Sequence, residues 1–421
     1  MLTDILLTVP VALLFLAVAL RCLWGFGLAP GCCEAPGGCV PARPRVIKVF
    51  CAALALRLFL LLIMFLCSML SGGEGGLESF PGKFSRWDAG HYINLIEKGY
   101  SGYQEDGRHL FLVFYPLYVW AARLVRLIIP NTVMAGLMVS LLSYAGGCCY
   151  VYKIAAKLLG PNAAKSALLL LSLYPHSFFF GLVMTEGLFL LTTSAACYYA
   201  LERRWLLYGL WGALAALTRM TGVLVTVMAA VELLSALRPL ERPLGVSLKR
   251  ALPGFLKKLP ALLMPLLGSL AYLLLNWRVD GDPFAFRVHQ GHWHQGGKWI
   301  SGVLKYLWSY FWDNKADANG YAIWLPELVI FAASFGVLLL AVRKKNFPPS
   351  LLAYAFCYLV ANYSLSWLLS AGRYMSCCFP LFLFAGGLLE GRESLREGIC
   401  LGGAALTGVY LYAYLTGAQV M

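Results

Sequence analysis

Long apolar runs broken by short polar clusters dominate this chain. Breaks at charged residues, Pro and Gly leave stretches near 4–25, 46–70, 133–151, 166–181, 187–201, 205–218, 221–236, 259–277, 324–342, 349–371, 375–391 and 398–418. A helix rises about 1.5 Å per residue, so about 20 apolar residues cross the hydrocarbon core of a bilayer. Many of these stretches reach or approach that length. The pattern predicts an all-α, polytopic membrane helix bundle of about 11–13 spans, with 1–421 forming a single unit. The first stretch lacks a small-residue cleavage site and reads as an anchor rather than a removed signal. Segment 111–130 starts apolar but carries Pro116, Arg123 and Arg126, which predicts an element at the membrane interface.

Composition agrees and narrows the class. Hydrophobic residues make up 60% of the 421 and charged residues only 13%, against about 25% charged in soluble domains. A mean hydropathy of +0.71 excludes an ordinary water-soluble globule, a disordered chain and a collagen-like fibre. The net charge of +14 would suggest nucleic acid in a soluble protein. Here the positive-inside rule accounts for much of it. Nineteen Lys and Arg fall in the loops around 43–48, 153–165, 203–204, 238–258, 343–345 and 392–396, which this assigns to the cytoplasm. Eleven are spread over the opposite face, at lower density. Both long polar segments, 71–110 and 278–323, then share the non-cytoplasmic face with the turns at 176–186, 218–221 and 372–374. A transporter more often places ionisable groups at mid-membrane on broken, repeated helices, and no internal repeat is visible.

The chemistry-bearing residues sit on that face. In Phe84-Ser85-Arg86-Trp87-Asp88-Ala89-Gly90-His91-Tyr92, Asp88 and His91 are three residues apart and share one face of a helix. A carboxylate beside an imidazole can take a proton from a hydroxyl. Ser85 followed by Asp88 also reads as a capping box, a purely structural role. His176 and Glu186 flank an aromatic run, Phe178 to Phe180; an interfacial aromatic belt explains them equally well. An acid opening a span at Glu186 needs a partner or a place at the membrane edge. Arg219 and Arg373, the latter followed by Tyr374, lie in outer turns, where a guanidinium can grip a lipid phosphate bidentately or snorkel to headgroups. His289, His292 and His294, with Trp293 and Trp299, match no standard zinc spacing and suit a sugar-binding or interfacial loop. Most of the thirteen cysteines read as small hydrophobes in spans, while Cys32, Cys33 and Cys39 lie in a Gly/Pro-rich loop with no zinc pattern. No metal site is assigned. No phosphate-cradling glycine loop or dinucleotide fingerprint is present either.

Several of these motifs recur in order along one family. Arg86-Trp87-Asp88-Ala89-Gly90-His91-Tyr92, Gly99-Tyr100 and Phe114-Tyr115-Pro116-Leu117-Tyr118 resemble the first outer loop of PIG-V-type mannosyltransferases. Leu173-Tyr174-Pro175-His176-Ser177-Phe178-Phe179-Phe180, Thr185-Glu186, Leu217-Thr218-Arg219-Met220-Thr221-Gly222 and Gly372-Arg373-Tyr374 ahead of Phe379-Pro380 resemble it too. The resemblance implies membership of the GT-C glycosyltransferase superfamily, with an outer-face active site and a polyprenyl-phosphate sugar as donor substrate. It implies no other cofactor. An acid of the first outer loop serves those enzymes as base, a role that transfers to Asp88. His91 is then expected to orient Asp88 or the acceptor. Arg219, Arg373 and Tyr374 are expected to hold the donor's lipid phosphate, and Trp87, His176, Glu186, His292 and Trp293 to contact substrate. The expected partners are the lipid-linked donor, a glycan or glycolipid acceptor and membrane lipids, without nucleic acid. Asn362-Tyr363-Ser364 is the only Asn-X-Ser/Thr match and falls inside a predicted span, which favours a bacterial relative. The expected location is the cell membrane in a bacterium, or the endoplasmic reticulum membrane in a eukaryote. A lipid-linked sugar flippase or transporter is the alternative, needing the groove and the cations but no positioned base.

Overall fold

A computed structural model describes residues 2–28, 43–70 and 79–420. The loop of Cys32, Cys33 and Cys39 and the start of the 71–110 segment lie outside the described residues. Eighteen α-helices are described: α1 (Leu2–Leu23), α2 (Arg43–Leu70), α3 (Asp88–Gly102), α4 (Pro116–Arg126), α5 (Thr132–Leu159), α6 (Pro161–Ser172), α7 (Glu186–Leu201), α8 (Trp205–Thr218) and α9 (Val225–Leu237), then α10 (Leu244–Leu263), α11 (Pro265–Asp280), α12 (Ala285–His289), α13 (Ile300–Asp313), α14 (Leu325–Ala341), α15 (Pro349–Asn362), α16 (Ala371–Ser376), α17 (Phe379–Leu388) and α18 (Glu393–Thr416). Among the described residues there is no strand, only two isolated bridges. Among the described residues, seven helical stretches are long and apolar enough to cross a membrane, including Thr3–Leu28, Arg45–Leu70, Thr132–Leu159 and Glu393–Thr416. α8, α15 and α17 are shorter apolar helices. The chain is a multi-pass, all-α membrane bundle.

α5 and α7 form its centre, and small residues let them approach closely. A Cβ on Gly187 would lie 2.5 Å from the Ser140 carbonyl oxygen, and one on Gly147 would lie 2.9 Å from Leu190. Without a hydrophobic drive between helices in lipid, such close backbone packing is what holds them together. Tyr118 fastens α4 to the same helix, donating to Gly136 O at 2.9 Å. α4 is amphipathic, as an interfacial element requires. Pro116, Tyr118, Val119 and Ala122 are buried, while Trp120, Arg123 and Leu124 are exposed.

Several predicted spans are interrupted. The stretch 166–181 is helical only to Ser172 and resumes as a short 3-10 turn, Ser177–Gly181. The carbonyls released at this break find a donor in Arg57, which the sequence hides inside an apolar run of α2. Arg57 is 1% exposed. It donates to Ser177 O at 2.8 Å, Ser172 O at 3.1 Å and the Tyr144 hydroxyl at 2.9 Å. Irregular backbone at membrane depth persists only where such partners exist. The stretch 349–371 likewise leaves helical form at Asn362, and 363–370 runs against the second long polar segment instead. That segment contains α12, α13 and a 3-10 turn, Gln290–Trp293. The predicted cytoplasmic loop 238–258 is also largely helical, because α10 begins at Leu244.

α1 ties the two ends of the bundle to their loops. Near its start, Asp4 pairs with Lys305 at 2.9 Å. Near its end, Arg21 donates to Val342 O at 2.6 Å and Phe347 O at 2.8 Å. We expect Arg57→Leu, which strips the Ser177 carbonyl of its charged donor, to lose about 1–3 kcal/mol. Thermal unfolding in detergent measures this as a lowered midpoint.

Candidate active site

The segments that the cation count puts on one face do meet. Residues from the Trp-Asp turn, from 113–115, from 218–221, from the second polar segment, from the end of α15 and from α16 line one cavity of about 260 Å³. Asp88, Arg219 and Arg373 supply its charge, and Phe114, Trp293 and Tyr374 much of its aromatic wall.

Asp88 opens α3 directly after Trp87, whose φ of 48° is costly for a residue with a Cβ. The Trp87 ring is braced edge-on against Tyr414 at 5.2 Å. The capping box does not form. Trp87 is the N-cap and makes no side-chain cap bond. Ser85 Oγ instead donates back to Gly82 O at 2.7 Å. The Asp88 carboxylate turns to Arg373, with Oδ2 2.6 Å from Nη2. Arg373 Nε lies 2.9 Å from Glu186 Oε1, and the same oxygen pairs with Arg219 Nη2. Arg219 Nε donates to the Thr185 hydroxyl at 2.8 Å. Asp88, Arg373, Glu186 and Arg219 thus form an alternating chain of two anions and two cations. Its inner members are enclosed: the Glu186 side chain is fully buried and that of Arg373 is 7% exposed, while Asp88 is 22% exposed toward the cavity end. The Tyr374 ring lies beside both guanidiniums, 5.6 Å from Arg219 and 5.2 Å from Arg373.

With this geometry in view, comparison with known proteins is informative in part. Residues 115–249 match the family described as "Dolichyl-phosphate-mannose-protein mannosyltransferase". That segment contains Glu186 and Arg219. ArnT from Cupriavidus metallidurans bound to undecaprenyl phosphate is similar at 16% identity, over 78% of this chain and 70% of that one, with a TM-score of 0.47. Its apo state is similar at 16% identity, over 80% and 71%, with a TM-score of 0.46. No curated protein matches the sequence.

Other expected site residues are placed differently. His91 does not bond Asp88. Its Nδ1 lies 3.0 Å from the Tyr103 hydroxyl, and its ring packs on Phe111 at 4.8 Å and Phe114 at 5.4 Å. Burial lowers its pKa below the ordinary 6.5, against the opposing pull of Asp88 and Glu105. Glu186 lies behind the two arginines rather than in the cavity wall, so it neutralises and holds them. His176 is buried under α16. A Cβ on Gly372 would come within 2.5 Å of its Nδ1, so only glycine lets the Arg373 turn rest on that ring. Trp293 reaches the cavity. His292 is exposed and packs on the Trp293 ring at 4.8 Å. His289 pairs with Asp280 at 3.0 Å. Among the described residues, no group of three His, Cys, Asp or Glu side chains is close enough to hold a metal ion.

Glu327 is a residue the sequence reading missed. It is 2% exposed in α14, and its two carboxylate oxygens accept the Ala371 N–H at 2.9 and 3.0 Å. It thereby anchors the start of α16, two residues before Arg373. An acid inside an apolar span was the available signal.

Glu186→Ala leaves two buried guanidiniums facing each other without their shared anion. We expect a loss of about 3–5 kcal/mol, read by thermal or denaturant unfolding, with Glu186→Gln between that and wild type. His91 gives a pH signature. Its folded pKa lies below the unfolded one, so the unfolded chain takes the proton first, and stability falls as pH drops through about 6.5. Wild type should therefore lose stability relative to His91→Gln between about pH 7 and about pH 5, as measured by melting curves across that range.

Proposed function

We propose that this chain is an integral-membrane glycosyltransferase that moves a hexose, with mannose the first candidate, from a polyprenyl-phosphate carrier to an acceptor hydroxyl on the non-cytoplasmic face. The observation that carries this reading is one cavity at a membrane end holding a carboxylate and two guanidiniums on a shared ion chain. The family matched by residues 115–249 supports the donor chemistry. The motif resemblance to PIG-V-type enzymes supports Asp88 as base. The cation count supports the non-cytoplasmic face, which means the outer face of the cell membrane in a bacterium or the luminal face of the endoplasmic reticulum in a eukaryote.

The chemistry follows from the ion chain. Asp88 takes the proton as the acceptor oxygen attacks the anomeric carbon. The bond from that carbon to the phosphate oxygen breaks, and its electron pair leaves with the lipid phosphate. Arg219 and Arg373 stabilise the negative charge that develops there. Arg373 is engaged by Asp88. A phosphate that draws Arg373 toward itself releases the carboxylate for its role as base. Tyr374, beside both guanidiniums, keeps them close to the cavity.

Transfer from labelled polyprenyl-phosphate mannose by purified protein tests the reading. Asp88→Asn should lower turnover by about 10²-fold or more while the protein still expresses and melts cooperatively. Arg373→Ala should weaken donor binding. Near-normal transfer by Asp88→Asn would refute the assigned base, and movement of labelled lipid across the membrane without transfer would favour a flippase.

A further inference from the structure

Beyond the ion chain, the cavity wall contains the amide side chains of Gln290, Gln295 and Asn362, of which Gln295 and Asn362 are fixed by bonds to backbone carbonyls. These two come from distant parts of the chain and are brought together by a strand-like exchange. Lys298 N–H donates to Ser364 O and Ser366 N–H donates to Gly296 O, each at 2.8 Å. Ser366 Oγ adds a bond to His294 O, also at 2.8 Å. The segment after the second 3-10 turn is thereby fixed against the chain leaving α15.

Both amides are wired alike. Gln295 Nε2 donates to Trp367 O at 2.6 Å, and Asn362 Nδ2 donates to Tyr358 O at 2.8 Å. A backbone carbonyl only accepts, so each amide nitrogen must face it, and neither side chain can flip. What each side chain has left to offer is its carbonyl oxygen. Gln295 Oε1 is buried without a hydrogen-bond donor among the described residues. Asn362 is 5% exposed, so its amide is held as rigidly as a core residue. Natural structures leave few buried acceptors without a donor, and each such group calls for an explanation. Trp293, two residues before Gln295, adds a flat apolar surface to the same cavity.

We infer that Gln295 and Asn362, backed by Trp293, form the glycosyl-recognition wall and accept hydrogen bonds from the hydroxyls of a neutral hexopyranose carried on the lipid phosphate. This rests on the lipid-linked donor reading. Two acceptors of fixed polarity select groups that donate. A sugar hydroxyl satisfies them, whereas a carboxylate at the same position of a uronic acid meets them oxygen to oxygen and is rejected. The aromatic face takes the C–H side of the ring. The arginines therefore bind the phosphate whatever the sugar, and the amide wall chooses among sugars.

The test uses the full-length protein in nanodiscs with four probes: bare polyprenyl phosphate, polyprenyl-phosphate mannose and glucose, and the monodeoxy analogues of whichever sugar binds better. Wild type should prefer the sugar-bearing lipid over the bare lipid. Gln295→Leu and Asn362→Leu should each reduce that preference by about tenfold, with bare-lipid affinity unchanged. At least one deoxy analogue should bind wild type about tenfold more weakly yet bind Gln295→Leu as well as the parent sugar does. The analogue series on unmodified protein needs no variant to fold. Variants that keep the full preference, variants that weaken bare and sugar-bearing lipid equally, or a deoxy series with no coupling to either amide would each overturn the recognition wall alone. A wild type that ignores the sugar would overturn the donor reading together with it.

Discussion

The pairing of Asp88, Arg373, Glu186 and Arg219 governs the rest of this structure. Charge near a bilayer is tolerated when it is matched, and here each ion is matched by a neighbour from a different part of the chain. The alternation has a direction. Glu186 is enclosed and serves two guanidiniums from behind, while the guanidiniums and Asp88 reach the cavity. The four side chains are together formally neutral, and both guanidiniums line the cavity. Guanidiniums placed at a cavity are the groups that can stabilise negative charge developing there.

Holding these ions in place requires helices that stop at the right depth. α7 begins at Glu186, α8 ends just before Arg219, and α16 is a single short turn carrying Arg373. Each interruption frees backbone groups that lipid cannot satisfy. The bundle meets that demand with charged side chains planted inside neighbouring helices. Arg57 of α2 serves carbonyls and Glu327 of α14 serves an amide. Donor and acceptor roles match the charge that each broken end exposes. The close approach of α5 and α7 at Gly187 sets the start of α7, and with it the position of Glu186.

Much of this was legible in the sequence, for reasons that also explain the gaps. Hydropathy gave the bundle, and cation density gathered Asp88, Arg219 and Arg373 onto one face. The need of Glu186 for a partner followed from the cost of a bare acid in a span, and the structure supplies two arginines. The histidines show the limit of local spacing. Asp88 and His91 share a helical face, yet Tyr103 and the Phe111 and Phe114 rings, which spacing cannot see, claim the imidazole. His176 looked like an interfacial ligand but packs beneath Gly372, because the chain folds α16 over it. Glu327 was hidden because it opens a run that otherwise reads as an ordinary span. Gln295 and Asn362 were invisible for a different reason: neutral amides leave no mark on charge or periodicity, and only the tertiary exchange between 294–298 and 364–366 brings them together.

α1 carries a further implication. Besides the Asp4–Lys305 pair, Thr8 accepts from Trp299 Nε1 at 3.1 Å and Asp4 accepts from Ser301 at 3.3 Å. These contacts grip the stretch that immediately follows Gln295. At its far end the same helix is fastened to the carbonyls after α14. α1 therefore works as a guy-line: none of its residues lines the cavity, yet it fastens the segment beside Gln295 at one end of the bundle to the backbone after α14 at the other.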